Sequence, residues 1–259
     1  MRFSAKRLQQ AITRREFIPF YQAICHSATG TVTGCEVLAR WRHPEKGLLR
    51  AGLFIDSVES AGMEYVLTRM LMDEVLAHVR RLLPVQQRPF LLTFNVSPGL
   101  VMTPVSRHYL LALSILLRQA GVTPVTEITE RQDIRLYPGA AEEFAQLVGH
   151  GLQFAVDDFG TGYAGRHLLA VTQARFIKID RRFTADPTHP ASICFIDDTV
   201  RQARVSGARV IAEGVETVPQ AVALRARGVD YLQGDHCGAP MPAGLFYYQL
   251  GAQPVPAHV

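Results

Sequence analysis

Leu152-Gln-Phe-Ala-Val156 runs directly into Asp157-Asp158 and then into Phe-Gly-Thr-Gly-Tyr163. An apolar strand that ends in two carboxylates and a glycine-rich loop concentrates negative charge where a barrel or open α/β sheet keeps its active site. Adjacent carboxylates repel, and the repulsion is relieved by protonating one of them or by binding a cation. The pair is read as metal ligands, the alternative being an acidic surface turn. Asp197-Asp198 serves as the chain's own control. It sits among Ile193, Ile196, Val200 and Ala203, which recur at helical spacing, so that pair reads as the solvated face of a helix.

Outward from this stretch, strand-like apolar runs occupy 17–24, 34–41, 90–96, 125–129, 152–156, 174–179, 209–212 and 231–233. Helical periodicity fills most of the intervals, at 56–83, 107–121, 138–149, a short segment after Tyr163, 191–205 and 219–227. Eight strands alternating with helices predict an α/β fold of the TIM-like (β/α)₈ barrel type, for which 259 residues is a usual length. One connection breaks the rhythm. Between Ile24 and Gly34 there is room only for a turn, so the first strand is expected to lie antiparallel to its neighbour. No linker, repeat or low-complexity tract divides the chain, which reads as one domain over 1–259 with a motif core of about 17–245 and a short Gly/Pro/Ala tail.

The charge of +4 is spread without a Lys/Arg block and by itself does not argue for nucleic acid; no basic stripe with interleaved aromatics is visible to hold a polynucleotide, so no nucleic acid polymer is expected as partner. The longest apolar stretch, around 110–117, is far shorter than a bilayer span, and the N-terminus lacks an apolar signal core. A cytoplasmic protein without membrane insertion is expected. Cys25, Cys35, Cys194 and Cys237 show no zinc spacing and read as reduced structural thiols, and His43, His167 and His236 as packing or surface residues.

Polar residues stand at or near the C-terminal end of the strand-like runs: Glu36, Asn95, Glu127, Asp157 with Asp158, Lys178, Glu213 and Gln233. Carboxylates and an amide, with no histidine or thiolate, favour Mg²⁺ or Mn²⁺ over Zn²⁺ or copper. A lysine beside them suits the charge that builds up on a phosphate.

These residues lie in Glu36-Val-Leu38 with Ala-Arg-Trp41, Asn95-Val-Ser-Pro98, Glu127-Ile-Thr-Glu130, Asp157-Asp-Phe-Gly-Thr-Gly-Tyr163, Lys178-Ile-Asp180, Ala212-Glu-Gly-Val-Glu-Thr217 and Gln233-Gly234. In this order they closely resemble EAL domains, the bacterial phosphodiesterases of cyclic di-GMP, from about Gln22 to Pro242. The resemblance implies hydrolysis of one phosphodiester bond of cyclic di-GMP to linear pGpG by two metal ions, Mg²⁺ or Mn²⁺, with Ca²⁺ inhibitory. It implies that Glu36, Asn95, Glu127 and Asp157 hold one ion, and that Asp157, Asp158 and Glu213 hold the other. Lys178, Glu213, Gln233 and Glu130 take catalytic or supporting roles in it. Gln22, Leu38, Arg40, Asn95, Asp158, Lys178, Asp180 and Glu216 contact substrate, and a homodimer is implied.

The chain departs from the family pattern at Gln22-Ala-Ile24 and Val37, which change no ligand. It also carries Ala164-Gly165 where the family commonly has two serines, and Asp235-His236-Cys237 where it commonly has Tyr-Leu-Phe. The alternatives to an active enzyme are a non-catalytic receptor of cyclic di-GMP or a protein-interaction module of the same fold, and a metal-dependent nuclease.

Overall fold

The computed structural model describes residues 2–83, 89–129, 133–160 and 165–252. A helix, α1 (Ala5–Thr13), precedes a hairpin of β1 (Phe17–His26) and β2 (Val32–His43). The hairpin turn closes where Gly30 takes φ +70° and its N–H donates to the carbonyl of His26 at 2.8 Å. Short strand β3 (Gly47–Arg50) folds back on β2, and α2 (Ile55–Ser60) and α3 (Glu64–Leu82) follow. The repeating units are then β4 (Phe90–Val96), α4 (Pro98–Val101), α5 (Pro104–Gln119), β5 (Val122–Thr129), α6 (Ala140–Gly149), β6 (Gln153–Phe159), α7 (Gly165–Thr172) and β7 (Phe176–Ile179). The chain continues through α8 (Arg181–Thr184), α9 (Pro190–Ser206), β8 (Arg209–Ala212), α10 (Val218–Ala226), β9 (Tyr231–Gln233), β10 (Met241–Pro242) and α11 (Ala243–Gly251).

Neighbour pairings run β1-β9-β8-β7-β6-β5-β4-β2, and the β1–β2 ladder closes the ring. The parallel strands are those from β2 to β9 inside the ring, while β1 is antiparallel to both of its neighbours. The eight strand-like runs of the sequence all become barrel strands.

The barrel interior is stacked in layers. Ile24, Leu91, Val125, Ala155, Phe176, Ile211 and Tyr231 form a buried apolar plug. Gly34 shares that level because a Cβ there would come within 2.6 Å of the Cβ and carbonyl of Leu91. Side chains two residues apart share a face of a strand. One step of two from the plug therefore gives Gln22, Glu36, Glu127, Asp157, Lys178, Glu213 and Gln233 as the next layer. The apolar floor makes that layer dry, and the period-2 register makes it converge.

Outside the wall, each helix buries one stripe. In α5 it is Leu110, Leu113 and Leu117, and α9 shows Ile196 and Ala203 inward before Gly207 ends it at φ +70°. Asp197 and Asp198 lie on α9's outer side, where Arg227 and Arg166 pair with them, as the helical reading expects.

Four features differ from expectation. The run 56–83 is two helices because Gly62 turns at φ +65° between them. Strands β3 and β10 are too short to show alternation. Helix α1 buries only Leu8 and Ala11, a weak periodic signal. The stretch taken as the start of a tail is α11, which buries Ala243, Phe246, Tyr247 and Leu250 against the barrel. A satellite core centred on Trp41 holds α1 down, and Glu16 accepts hydrogen bonds there from Trp41 Nε1 at 2.8 Å and Arg7 Nη2 at 2.5 Å.

Candidate active site

Lys178 sits at the centre of the polar layer with a side chain 1% exposed. Its Nζ lies 2.6 Å from Glu213 Oε1, 2.9 Å from Glu127 Oε1, 3.1 Å from Glu36 Oε2 and 3.2 Å from Asp157 Oδ1. An ammonium has three protons, so four carboxylates oversubscribe it. Glu127 Oε1 and Asp157 Oδ1 are left buried without an aligned hydrogen bond, as is Gln233 Oε1. With Asp158 the layer holds five carboxylates against one ammonium.

Asp157 and Asp158 both reach this place through a β-bulge. The β6–β7 register passes from Val156↔Ile177 to Phe159↔Ile179, so two aspartates stand opposite Lys178 alone. Asp158 takes φ +55°, a left-handed value rare outside glycine and more tolerated in Asp and Asn. In a regular strand their side chains would leave on opposite faces. Here an oxygen of each lies within 4.8 Å of the other and of Glu213. Gly160 follows at φ +96°, with Phe195 so close that a Cβ would fall 2.2 Å from its ring.

The rest of the layer is tied together. Asn95 Nδ2 donates to Glu36 Oε1 at 2.8 Å and Glu127 Oε2 at 3.2 Å. A flip of that amide puts its oxygen beside the two carboxylates, a donor set for a hard cation. Gln233 Nε2 donates to Glu36 Oε2 at 2.6 Å and to Gln22 Oε1 at 3.2 Å.

The charges shift one another. Burial pushes the Glu127 carboxyl well above its usual range, and Glu36 and Asp157 add to this against the pull of Lys178. Burial likewise raises Glu213 to about 8, with Lys178 opposing and Asp157 and Glu36 reinforcing. Burial opposes ionisation of Glu36 too, but Lys178 and Gln233 outweigh it and hold that carboxyl low. Lys178 would be neutralised by burial, yet Asp157, Glu127, Glu213 and Glu36 keep it firmly cationic. A layer that protonates some carboxylates to survive without cations is fitted to bind them. The unpartnered oxygens and the all-oxygen, histidine-free donor set suit Mg²⁺ or Mn²⁺.

A groove of about 340 Å³ opens over Asn95, Asp157 and Asp158, with Leu38, Ile55 and Leu71 among its walls. Leu38 thus stands where a ligand would lie, and Gln22 reaches the layer through Gln233. Arg40 does not line the groove: its guanidinium donates to the Ala39 carbonyl at 3.0 Å and covers the Phe20 ring at 5.6 Å. Asp180 caps α8, accepting from Arg182 N and Nε at 2.9 Å each. Glu216 is exposed at 56% and lies 3.7 Å from Arg181. Glu130 and Ala164 fall outside the described residues, and Gly165 begins α7.

Sequence reasoning missed Thr184. Its hydroxyl, buried under the β8 end, donates to the main-chain carbonyl of Glu213. The available signal was the Asp180 cap, which starts the turn that carries Thr184 there.

The EAL domain family model matches residues 5–240. Cyclic di-GMP phosphodiesterase PdeL of Escherichia coli strain K12 is 38% identical over 240 residues, which are 91% of this chain and 66% of PdeL. The chain spans 46% of PdeG, a probable cyclic di-GMP phosphodiesterase of the same organism, at 30% identity over 90% of its own length. Among solved structures, the EAL enzyme Bd1971 in its cAMP- and cyclic-di-GMP-bound form superposes with a TM-score of 0.83 at 27% identity, over 95% of this chain and 68% of that one. The PaMucR phosphodiesterase in complex with c-di-GMP gives 0.81 at 28% identity, over 93% of this chain and 98% of that one. A barrel with its first strand reversed, a carboxylate layer around one lysine and a family match over residues 5–240 agree: this chain belongs to the EAL domain family.

Proposed function

We propose that the chain hydrolyses one phosphodiester bond of cyclic di-GMP, releasing linear pGpG, with two Mg²⁺ or Mn²⁺ ions. The observation that carries this reading is the convergence of Asp157, Asp158 and Glu213 oxygens within 4.8 Å beside Lys178, under a groove with apolar walls. Glu36, Asn95, Glu127 and Asp157 would hold one ion, and Asp157, Asp158 and Glu213 the second. Bound there, the ions supply Lewis acidity that polarises phosphate oxygens and acidifies water at neutral pH.

The chain's own groups do the rest. Lys178 Nζ offsets negative charge on the reacting phosphate from a dry, fixed position. Glu213, with Oε1 2.6 Å from Lys178 Nζ, is placed to accept a proton beside it. Gln233 Nε2 holds Glu36 in place, and Glu130 is assigned to anchoring the loop after Asp158. The apolar groove wall at Leu38 suits a purine face. Gln22, Asp180 and Glu216 are assigned to base and ribose contacts, the last two after release from their arginines. Arg40 would swing off the Ala39 carbonyl to grip the phosphate that does not react.

A homodimer and a cytoplasmic location go with this reading, supported by the family pattern. Among the described residues no helix is long and apolar enough to cross a membrane. The test is purified chain with cyclic di-GMP and Mg²⁺ or Mn²⁺, with nucleotide products separated by chromatography. Formation of pGpG that stops with EDTA supports the reading, and Ca²⁺ in place of Mg²⁺ is expected to inhibit. Binding without pGpG would instead mark a receptor, and cleavage of linear DNA or RNA a nuclease.

A further inference from the structure

The departure at Asp235-His236-Cys237 plays no part in that chemistry, and it lies in a tight turn directly after Gln233. The N–H of Cys237 donates to the Gly234 carbonyl at 2.9 Å, and that of His236 to the Val215 carbonyl at 3.0 Å. Cys237 Sγ lies 3.3 Å from the carbonyl oxygen of Leu232. Leu232 is the register partner of Cys25 across the β1–β9 ladder, so the turn folds Cys237 back over Cys25. Each thiol shifts the acidity of the other. Both border one cavity of about 280 Å³, faced by Ala221, Val222 and Arg225 of α10. Cys25 also sits at an irregularity in the β1–β2 register, where a strand has slack to adjust.

We propose that Cys25 and Cys237 are a thiol–disulfide site that reacts with a low-molecular-weight disulfide, with Cys237 attacking first. Cys237 gives up its proton, and its thiolate attacks one sulfur of the small disulfide. That S–S bond breaks, one small thiolate leaves, and Cys237 carries the other half. Cys25 then loses its proton and attacks Cys237 Sγ, expelling the second small thiolate. The two cysteines lose two electrons, the small disulfide gains them, and the two protons end on the released thiols.

The order follows from the surroundings. Cys237 is the more accessible of the two, and its interaction with Cys25 outweighs burial and holds its pKa below the usual thiol value, which favours the thiolate. The same interaction, with burial, pushes the Cys25 thiol up. Arg225 brings positive charge to the cavity. Cys35 is fully buried, and Cys194 is exposed without a partner cysteine.

Closing the bridge draws the turn toward β1. Val215 N–H donates to the Gln233 carbonyl at 3.0 Å, so the turn is tied both to Gln233 and to the segment after Glu213. Oxidation therefore displaces Gln233 from Glu36 and slows turnover. This consequence rests on the phosphodiesterase reading; the bridge does not.

The reduced chain is incubated with glutathione disulfide, trapped with iodoacetamide and mapped by peptide mass spectrometry. The expected product is a Cys25–Cys237 cross-linked peptide that dithiothreitol reverses. Cys25→Ser should leave glutathione on Cys237, and Cys237→Ser should leave Cys25 free. Modification confined to Cys194, or glutathione on Cys25 in the Cys237→Ser chain, would overturn the proposal. Equal turnover of bridged and reduced chain would overturn the coupling to Gln233. Absence of hydrolysis in both states, with the bridge formed, would count only against the phosphodiesterase reading.

Discussion

Asp158 holds a left-handed backbone at φ +55°, which costs about 1–3 kcal/mol in a residue other than glycine. The surroundings sustain it because the two aspartates must face one place. Asp157 is the more critical of the two, being assigned to both ions and only 11% exposed. Asp157→Asn preserves shape and removes charge, so turnover should drop by far more than about tenfold, which is only ~1.4 kcal/mol of barrier. Steady-state rates within tenfold of wild type, with an unchanged circular dichroism spectrum, would count against the shared-ligand assignment. Lys178 and Glu213 are assigned to the reacting phosphate, and Arg40 to the one that does not react. Glu213→Ala should therefore depress kcat strongly, whereas Arg40→Ala should mainly raise KM. The opposite split would exchange their roles.

At the scale of elements, the bulge in β6 and the glycine after it form one device. Gly160 stands at φ +96° under Phe195, whose ring stacks on Phe183 at 3.8 Å. Gly160→Ala meets both an unfavourable backbone and two stacked rings that must shift to admit a Cβ, an expected cost of roughly 1–3 kcal/mol. The variant should unfold at lower urea and need more Mn²⁺ for half-maximal stabilisation. Unchanged values for both would show that the loop after Asp158 is set elsewhere. The carboxylates of this device were legible in the sequence because the apolar run Leu152 to Val156 fixes which residues lie in the wall. The bulge was not, since period-2 reading puts Asp158 on the outer face. The present partners of Arg40 and Asp180, the Ala39 carbonyl and the first turn of α8, show a second limit: a residue type suited to a ligand is equally suited to a carbonyl or a helix N-terminus, so sequence alone does not give its partner. Helix α11 was hidden because Phe246, Tyr247 and Leu250 give too short a stripe beside Gly and Pro.

For the whole molecule, the polar layer contributes a pH dependence of stability, joined by Glu74, which burial raises, and opposed by His78, which burial lowers. Glu127 and Glu213 have carboxyls raised on folding, so the folded chain binds protons that the unfolded chain releases. Such groups contribute stability that is complete below the ordinary carboxylate range and is lost as pH rises through the folded value, about 8 for Glu213. Glu36 is lowered and acts in the other direction, but its contribution is already present above that range. In EDTA the melting temperature should therefore fall between about pH 5 and 8. Cations reverse this trend, because they need deprotonated ligands and bind only the folded site. Saturation at about 100 times the dissociation constant adds ~2.7 kcal/mol, or several degrees for a chain of this size. The Mn²⁺-induced rise should accordingly grow from pH 6 to 8. Glu213→Gln tests the cause: without the titrating carboxyl, the EDTA melting curve should flatten with pH and the Mn²⁺ gain should shrink. If the variant kept both the wild-type slope and the wild-type gain, the layer around Lys178 would not be the source of either.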